Sequence, residues 1–469
     1  MQNKPYEGSV SDRLERIPFS SVQRDFLLMV AGGEWAETLM LLGNGAILAL
    51  VVSVLGITHS LGATIITTAF FLGEFVGSAF FGWLADRRGR KFVFLYNLLV
   101  FSFGMLIAGF MSDPFLIAVF IFIGGIGVGG EFLLVDSFTT EMMPAKVRGN
   151  RLAWVYTIAV TAGFVIAFLT YEMDIIAPAY YSWRILFWFM AVVGFAIWAV
   201  RTRLKESPRW LEVHGEYKKA NEITTEWEQK TMERKHLKEL PPVTTNTPIE
   251  QNRSKYKDIF EPDVRKRSIM MIIFQFFQSG IFYGFTALSP LFLIDKGFDL
   301  PKTLEFTFLI YAGFFFGSVF NLFIIDKVER KWGIIGTAVL AGIFGTAFAV
   351  VSNVYLIVIF GFITTFLLWN FSNFYHAYQA EIFPTRIRPT AAGTVYAVSR
   401  VSTAILTLFI VDIFLPHGVL ASFGIIWVFI AIVVVDIWVL GPKSSKEQVE
   451  TIAQLYCPVN ISYIYPLKI

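Results

Sequence analysis

The segment Asp86-Arg87-Arg88-Gly89-Arg90-Lys91 recurs as Asp326-Lys327-Val328-Glu329-Arg330-Lys331, and Glu141-Met142-Met143-Pro144-Ala145-Lys146-Val147-Arg148 recurs as Glu381-Ile382-Phe383-Pro384-Thr385-Arg386-Ile387-Arg388. Both recurrences fall at one offset, 240 residues. Each charged turn follows an apolar run long enough to cross a bilayer, for which about 20 residues suffice. Two independent motifs at a single offset mark a duplicated membrane unit. They imply two halves in parallel orientation, with a shared path near the midplane between them.

Working outward from these turns, twelve apolar runs appear, at 26–55, 61–85, 92–111, 115–140, 151–171, 183–200, 269–293, 304–325, 333–351, 355–380, 391–413 and 419–440. In lipid each run must close its own backbone hydrogen bonds, which predicts helices throughout. A chain of 469 residues with 55% hydrophobic and 16% charged residues does not describe a soluble surface. The expected fold is therefore an all-α membrane protein, with twelve transmembrane helices in two pseudo-symmetric six-helix bundles. The expected division is an N-terminal segment at 1–25, a first bundle at 26–200, a linker at 201–267, a second bundle at 268–440 and a tail at 441–469.

Of the 39 Lys and Arg, all but Arg184, Lys296, Lys302 and Arg400 fall in the two termini, the linker and the loops on their side. The positive-inside rule then predicts a multi-pass protein of the cell membrane with both termini cytoplasmic. The first 25 residues are polar and basic, so span 1 serves as the first insertion signal. In the linker, Ser207-Pro208 predicts a helix start and an amphipathic helix to about Gln229 on the inner surface, while Pro241-Pro242 would end a second helix. The stretch through Asn246 and Ser254 reads as flexible. The single cysteine, Cys457, cannot form an internal disulfide.

Gly82-Trp83-Leu84-Ala85-Asp86-Arg87-Arg88-Gly89-Arg90-Lys91 resembles the signature loop between spans 2 and 3 of the major facilitator superfamily. The resemblance covers nearly the whole chain. Glu206-Ser207-Pro208-Arg209-Trp210-Leu211 resembles the sugar-porter signature after span 6, and the two Glu-x-x-Pro-x-x-x-Arg segments belong to the same branch. Glu34-Trp35-Ala36-Glu37, Gly129-Gly130-Glu131 and Ser399-Arg400-Val401-Ser402 are similar to motifs of metabolite:proton symporters and organic ion carriers. The sugar-porter pattern in span 7 keeps Gln278-Ser279-Gly280 but has Phe277 and Phe282 where Gln and Asn are usual, and His376 stands where span 10 usually carries tryptophan. The resemblance implies alternating access, with a cytoplasmic charge set that latches the halves when the cavity opens outward. Asp86, Arg90, Glu141, Arg148, Glu206, Arg209, Asp326, Arg330, Glu381 and Arg388 compose that set; the plainer alternative is that its cations only hold loops inside.

Carboxylates inside spans are costly and so mark candidate function. Glu34 and Glu37 lie a turn apart on one helical face, where desolvation and mutual repulsion disfavour two charges at once. They are candidates for proton coupling, or are neutralised by Arg400. Glu131 and Asp136 in span 4 and Glu74 in span 2 are further candidates, each with a structural partner as the alternative. Arg400 can hold a substrate carboxylate through its planar fork, or can pair with Glu34, Glu37 or Asp136. Gln275, Gln278, Asn370, Asn373 and His376 offer hydrogen bonds in spans 7 and 10, and Trp35, Tyr283, Trp369 and Tyr375 offer aromatic walls.

These residues predict a proton symporter for a small organic acid or related metabolite, with a sugar or polyol porter as the alternative. The expected partners are a small-molecule substrate, protons and the lipid bilayer, not nucleic acid, and the expected unit is a monomer. No cofactor or metal is expected, because no paired-histidine metal motif, nucleophile elbow or nucleotide loop appears. The same absence argues against an enzyme. A linker of 67 residues is also too short and too charged for a sensor's output domain.

Overall fold

The computed structural model describes residues 9–243, 256–262, 264–325, 327–383 and 388–444. Every regular element among them is a helix, as the bilayer demands of a backbone that finds no water to bond. Spans 1 to 6 are Ser21–Leu55, His59–Arg88, Arg90–Ala108, the broken pair Pro114–Val128 and Glu131–Met142, Ala145–Ile176, and Ala179–Arg201. Spans 7 to 12 are Arg265–Thr286 with Ser289–Asp295, Leu300–Ile324, Arg330–Val350, Val354–Ile382, Arg388–Phe409 with a π-turn at Ile410–Phe414, and Val419–Leu440. The two six-helix bundles meet where span 2 packs on span 11, span 5 on span 8, and span 1 on the second piece of span 7.

The breaks in spans 4 and 7 follow from their sequences. In span 4, Gly129 and Gly130 interrupt the helix, and a side chain at Gly129 would collide with the Glu74 carbonyl of span 2. In span 7, Pro290 has no N–H to give the carbonyl of Thr286 four residues earlier, so the helix stops. The hydroxyl of Tyr311 donates to that orphaned carbonyl instead. Gly45 of span 1 lies against the same break, where a Cβ would come within 2.6 Å of the Ala287 carbonyl.

Spans 2 and 4 approach backbone to backbone. Added side-chain atoms at Gly73, Gly77 and Gly125 would strike the main chain at Phe122, Ile126 and Phe70 respectively. Small residues allow this closeness where lipid supplies no hydrophobic drive between helices.

Among its described residues the linker forms two α-helices, Pro208–Val213 and Tyr217–Lys235, rather than one run from Ser207 to Gln229, and a 3-10 turn at Tyr256–Phe260. Ser207 accepts from the Trp210 amide at 3.1 Å, as an N-cap should, but Gly215 at φ +80° turns the chain after one and a half turns. The second helix ends at His236, ahead of Pro241-Pro242, which closes no helix. The residues read as flexible, around Asn246 and Ser254, lie outside the described set.

Residues 1–25 were expected as a polar segment, yet from Ser9 onward the chain is folded. A helix at Val10–Glu15 lies on the linker helices, and span 1 already begins at Ser21. Arg13 and Arg16 both reach Glu228, at 2.6 and 2.8 Å, and Arg209 reaches Glu15 at 2.7 Å. The linker helices therefore bind protein as well as facing the bundle end. That end, with the N-terminal helix, the linker and Gly441–Ser444, is called the linker face below.

Substitution of Gly77 by valine forces spans 2 and 4 apart and should cost at least the ~1–3 kcal/mol of an overpacked contact. Gly82→Ala, where nothing lies within 4 Å of the added atom, should be neutral. Thermal unfolding of the two purified variants against the parent checks the pair.

Candidate functional site

Span 11 presents Tyr396, Arg400 and Ala404 on one face, four residues apart. Span 2 meets that face with Thr68, Phe71 and Glu74, and the Thr68 hydroxyl donates to the Ala404 carbonyl at 3.3 Å. This register sets Arg400 of the second bundle against the acids of the first. Its Nε lies 3.0 Å from Glu74 Oε2, and its Nη2 lies 3.5 Å from Glu37 Oε1. Nη1 donates to the Tyr283 hydroxyl at 2.9 Å. The guanidinium lies over the ring of Tyr396 at 4.4 Å, with Phe71 at 5.6 Å.

Arg400, Glu37 and Glu74 are 2%, 1% and 0% exposed, so the group is sealed between the bundles. Its contacts are close in charge but incomplete as hydrogen bonds. Among the described residues, Arg400 Nε, both oxygens of Glu74, and one oxygen each of Glu34 and Glu37 have no aligned partner. Buried polar atoms of this kind are costly unless another group completes them. Two glutamates meet one guanidinium, with Glu34 one turn from Glu37, so full ionisation would leave an excess of negative charge in a low-dielectric site.

The other acids take different places. Glu131 leaves the central group and forms a fully buried pair with Arg201, supported by Asn97 Nδ2 at 2.5 Å. Arg201 also donates to the carbonyls of Met29 and Val30, each at 3.0 Å. The pair fills the space that a side chain at Gly33 would occupy. Glu131 thus has, in Arg201, the structural partner that stood as the alternative to proton coupling. Asp136 does not reach Arg400 either; it accepts from the Tyr156 hydroxyl at 2.6 Å.

Gln275, Gln278 and Gln379 form a chain in the second bundle. Gln275 donates to Gln379 at 2.7 Å and accepts from Gln278 at 2.6 Å, which leaves Gln278 Oε1 buried without a partner among the described residues. Asn370 accepts from Asn321 at 3.0 Å and donates to the Phe366 carbonyl at 2.9 Å. Asn373 is half-buried on the same helix. Trp35 donates to Thr161 at 3.0 Å, and Trp369 packs on Phe314 and Phe282. His376 lies 5.0 Å from the ring of Phe132 and 4.4 Å from that of Tyr375.

At the linker face, Arg90 pairs with Asp86 at 2.8 Å and with Glu141 at 3.0 Å. Glu206 accepts from the amides of Arg90 at 2.9 Å and Lys91 at 3.2 Å, so the signature after span 6 caps the helix that the span 2–3 loop begins. Gly89 makes room for it, with φ +98° and a Cβ position that collides with the Glu206 carboxylate. In the second bundle Arg330 lies 3.2 Å from Glu381, and Ser444 donates to Glu381 and Glu329. Each of these pairs joins elements of one bundle, whereas the expectation had been latches between bundles. Asp326 and the side chains of Arg148 and Arg388 lie outside the described residues.

Sequence reasoning missed Arg201, Gln379, Tyr156 and Phe132. Arg201 closes the apolar run of span 6 and looked like the first residue of the polar linker. The signal was Glu131 itself, a buried acid that needs a cation.

Two six-helix bundles with a charged group buried between them define a membrane carrier fold. The profile of the family described as "Sugar (and other) transporter" matches residues 21–456, and the chain belongs to that family, within the major facilitator superfamily. It is a multi-pass membrane transporter of small molecules and not an enzyme. The chain is 26% identical to the inner membrane metabolite transport protein YdjE of Escherichia coli, over 83% of this chain and 86% of that protein. It is 22% identical to the niacin transporter NiaP of Acinetobacter baylyi, over 81% and 85%. Among solved structures, the proton:xylose symporter XylE of E. coli superposes with a TM-score of 0.69 at 19% identity, covering 92% of this chain and 98% of that one.

Removing one member of the Glu131 and Arg201 pair strands a buried charge, so Arg201→Met should cost about 3–5 kcal/mol. Arg201→Met combined with Glu131→Leu should recover much of that loss, which a double-mutant cycle on thermal stability measures. Burial raises the pKa of Glu206 above its ordinary value of 4.5, partly offset by the amides it caps. Over pH values just above 4.5 the unfolded chain loses this proton first, so the folded state binds more protons there and this contribution to stability falls as pH rises. Glu206→Gln should flatten that slope in pH-dependent melting curves.

Proposed function

We propose that the protein is a proton symporter for a small organic acid, with Arg400 as the carboxylate anchor and Glu37 and Glu74 as the groups that carry the proton. The observation that supports this most directly is one guanidinium of the second bundle, that of Arg400, shared out of solvent by two acids of the first. A solute carboxylate can occupy Arg400 only by replacing Glu37 or Glu74, and the displaced acid is tolerable inside the protein only with a proton. Proton and anion then enter together and leave the buried charge unchanged. Loss of the pair also removes a contact between bundles, which biases the equilibrium between their two arrangements.

Glu34, one turn from Glu37, serves as the next acceptor toward the linker face, and Asp136 with Tyr156 follows it. The linker face is cytoplasmic in this reading, by the placement of Lys and Arg, and the chain works as a monomer. The pairs around Arg90 and Arg330 hold each bundle's linker-side turns rigid while the bundles rock. Relatives support the chemistry: XylE is a proton symporter by name, and the niacin carried by NiaP is a carboxylic acid.

A second reading, a sugar or polyol porter, is favoured by the Gln275, Gln278 and Gln379 chain, whose unpartnered Gln278 Oε1 suits a hydroxyl.

A panel of carboxylates and sugars tested for thermal stabilisation of the purified protein separates the two readings, since a ligand of the folded state raises its stability. With the ligand found, uptake into proteoliposomes under a pH gradient should lose its accumulation in Glu37→Gln and in Glu74→Gln. Accumulation equally driven by pH in both variants would overturn the coupling assignment. Arg400→Lys should weaken an anionic solute by about tenfold or more, the scale of a lost bidentate contact, and a neutral one far less.

A further inference from the structure

Between Arg400 and the linker face lies a group of rings that joins the two bundles. Phe132, second residue of the helix that resumes after the Gly129-Gly130 break, stacks on Tyr396 of span 11 at 4.7 Å and 13°. Its other neighbours are Tyr156 of span 5, stacked at 5.1 Å and 23°, and His376 of span 10 at 5.0 Å. One phenylalanine of the first bundle is thus held among rings of both bundles.

Helix geometry gives the depth of this layer. Counting from the linker-side end of each helix at 1.5 Å per residue, Phe132 lies roughly 15 Å in, Tyr396 roughly 12 Å and His376 roughly 9 Å. Arg400 lies roughly 18 Å in, and Glu74 and Glu37 roughly 21 and 24 Å. The rings therefore stand between the buried charges and the linker face. The position of Phe132 is fixed by neighbours that sequence chemistry does not advertise: Gly130 packs on Phe81, and the preceding Glu131 is tied to Arg201.

We propose that Phe132 is the inner gate of the transport path, closed by its stack on Tyr396 and its tilted ring contact with His376, both of the opposite bundle. A ring-on-ring contact excludes water without charge, and two such contacts across the bundle boundary, with Tyr156 backing the ring from its own bundle, hold a shut state while staying weak enough to break in each cycle. The gate also senses the site. Tyr396 carries Phe132 on one side and the Arg400 guanidinium at 4.4 Å on the other, so any rearrangement of Arg400 is felt by the stack. The Asp136 contact to Tyr156 anchors the first-bundle side of the same sandwich. The assignment needs only the two-bundle carrier fold and is independent of which solute or ion moves.

The test uses the full chain with its one cysteine removed (Cys457→Ser) and a reporter introduced deeper than the rings, Gln278→Cys, whose parent side chain is 1% exposed. A charged, membrane-impermeant thiosulfonate is applied to sealed vesicles from either face. Phe132→Ala should raise the labelling rate from the linker face by roughly tenfold and leave the rate from the opposite face unchanged, the scale expected when three ring contacts are lost. Phe132→Leu, which keeps an apolar side chain but no stack, should give a smaller rise in the same direction, and it carries the test if the alanine variant does not fold. Phe132→Tyr should label as slowly as the parent. An unchanged rate from the linker face, or an equal rise from both faces, would overturn the gate.

Discussion

A charge in a membrane interior must find its counter-charge within the protein, and much of this structure can be read as the answer to that constraint. The two deep arginines answer it differently. Arg201 is enclosed by one bundle, held by Glu131, which itself accepts from Asn97, and by backbone carbonyls. Arg400 is held across the boundary between bundles by acids that are only partly satisfied. A complete pair stiffens the bundle that contains it, while an incomplete one between two bodies leaves room for a third party. The contrast separates scaffold from working part more sharply than burial does, since both groups are buried.

Backbone proximity serves the same division. The glycines of spans 2 and 4 bring main chain against main chain, so Glu74 is located by the helix that carries it and not by a flexible contact. On the linker face, Glu206 ties the segment after span 6 to the start of span 3, and Glu228 gathers two arginines of the N-terminal helix onto the linker. These ties make the first bundle, the linker helices and the N-terminal helix one packed body at that end.

The duplicated turns made the architecture legible, because charge and spacing survive in the sequence as direct signals. The twelve spans were legible for the same reason, down to the fourth, whose apolar run hides a break at two glycines that hydropathy alone cannot weigh. The central acids were found by their cost in a membrane, and Arg400 by its isolation among apolar residues. Its partners were not fully legible: Glu37 was among those weighed, but Glu74 was not, since the register of span 2 on span 11 depends on a hydroxyl contact at Thr68. Asn370 and Gln379 show the limit most clearly. Both are amides of span 10, nine residues apart and so on opposite faces of the helix, and only packing tells that the first bonds Asn321 of span 8 while the second extends the Gln275 chain of span 7.

Gly89 and Glu329 occupy equivalent places in the two turns, and they are not interchangeable. Gly89 adopts a left-handed backbone and yields its side-chain volume to the carboxylate of Glu206. Glu329 sits in extended backbone and receives the amide of Ser444 from the chain's tail. The ancestral symmetry has therefore been spent on distinct fastenings, one for the tether that joins the domains and one for the irregular segment that leaves the last helix. A chimera built by transplanting the later turn into the earlier position would keep the leading aspartate and the closing arginine and lysine and still fail sterically, because the motif's identity resides as much in the vacancy at its fourth residue as in the ions around it.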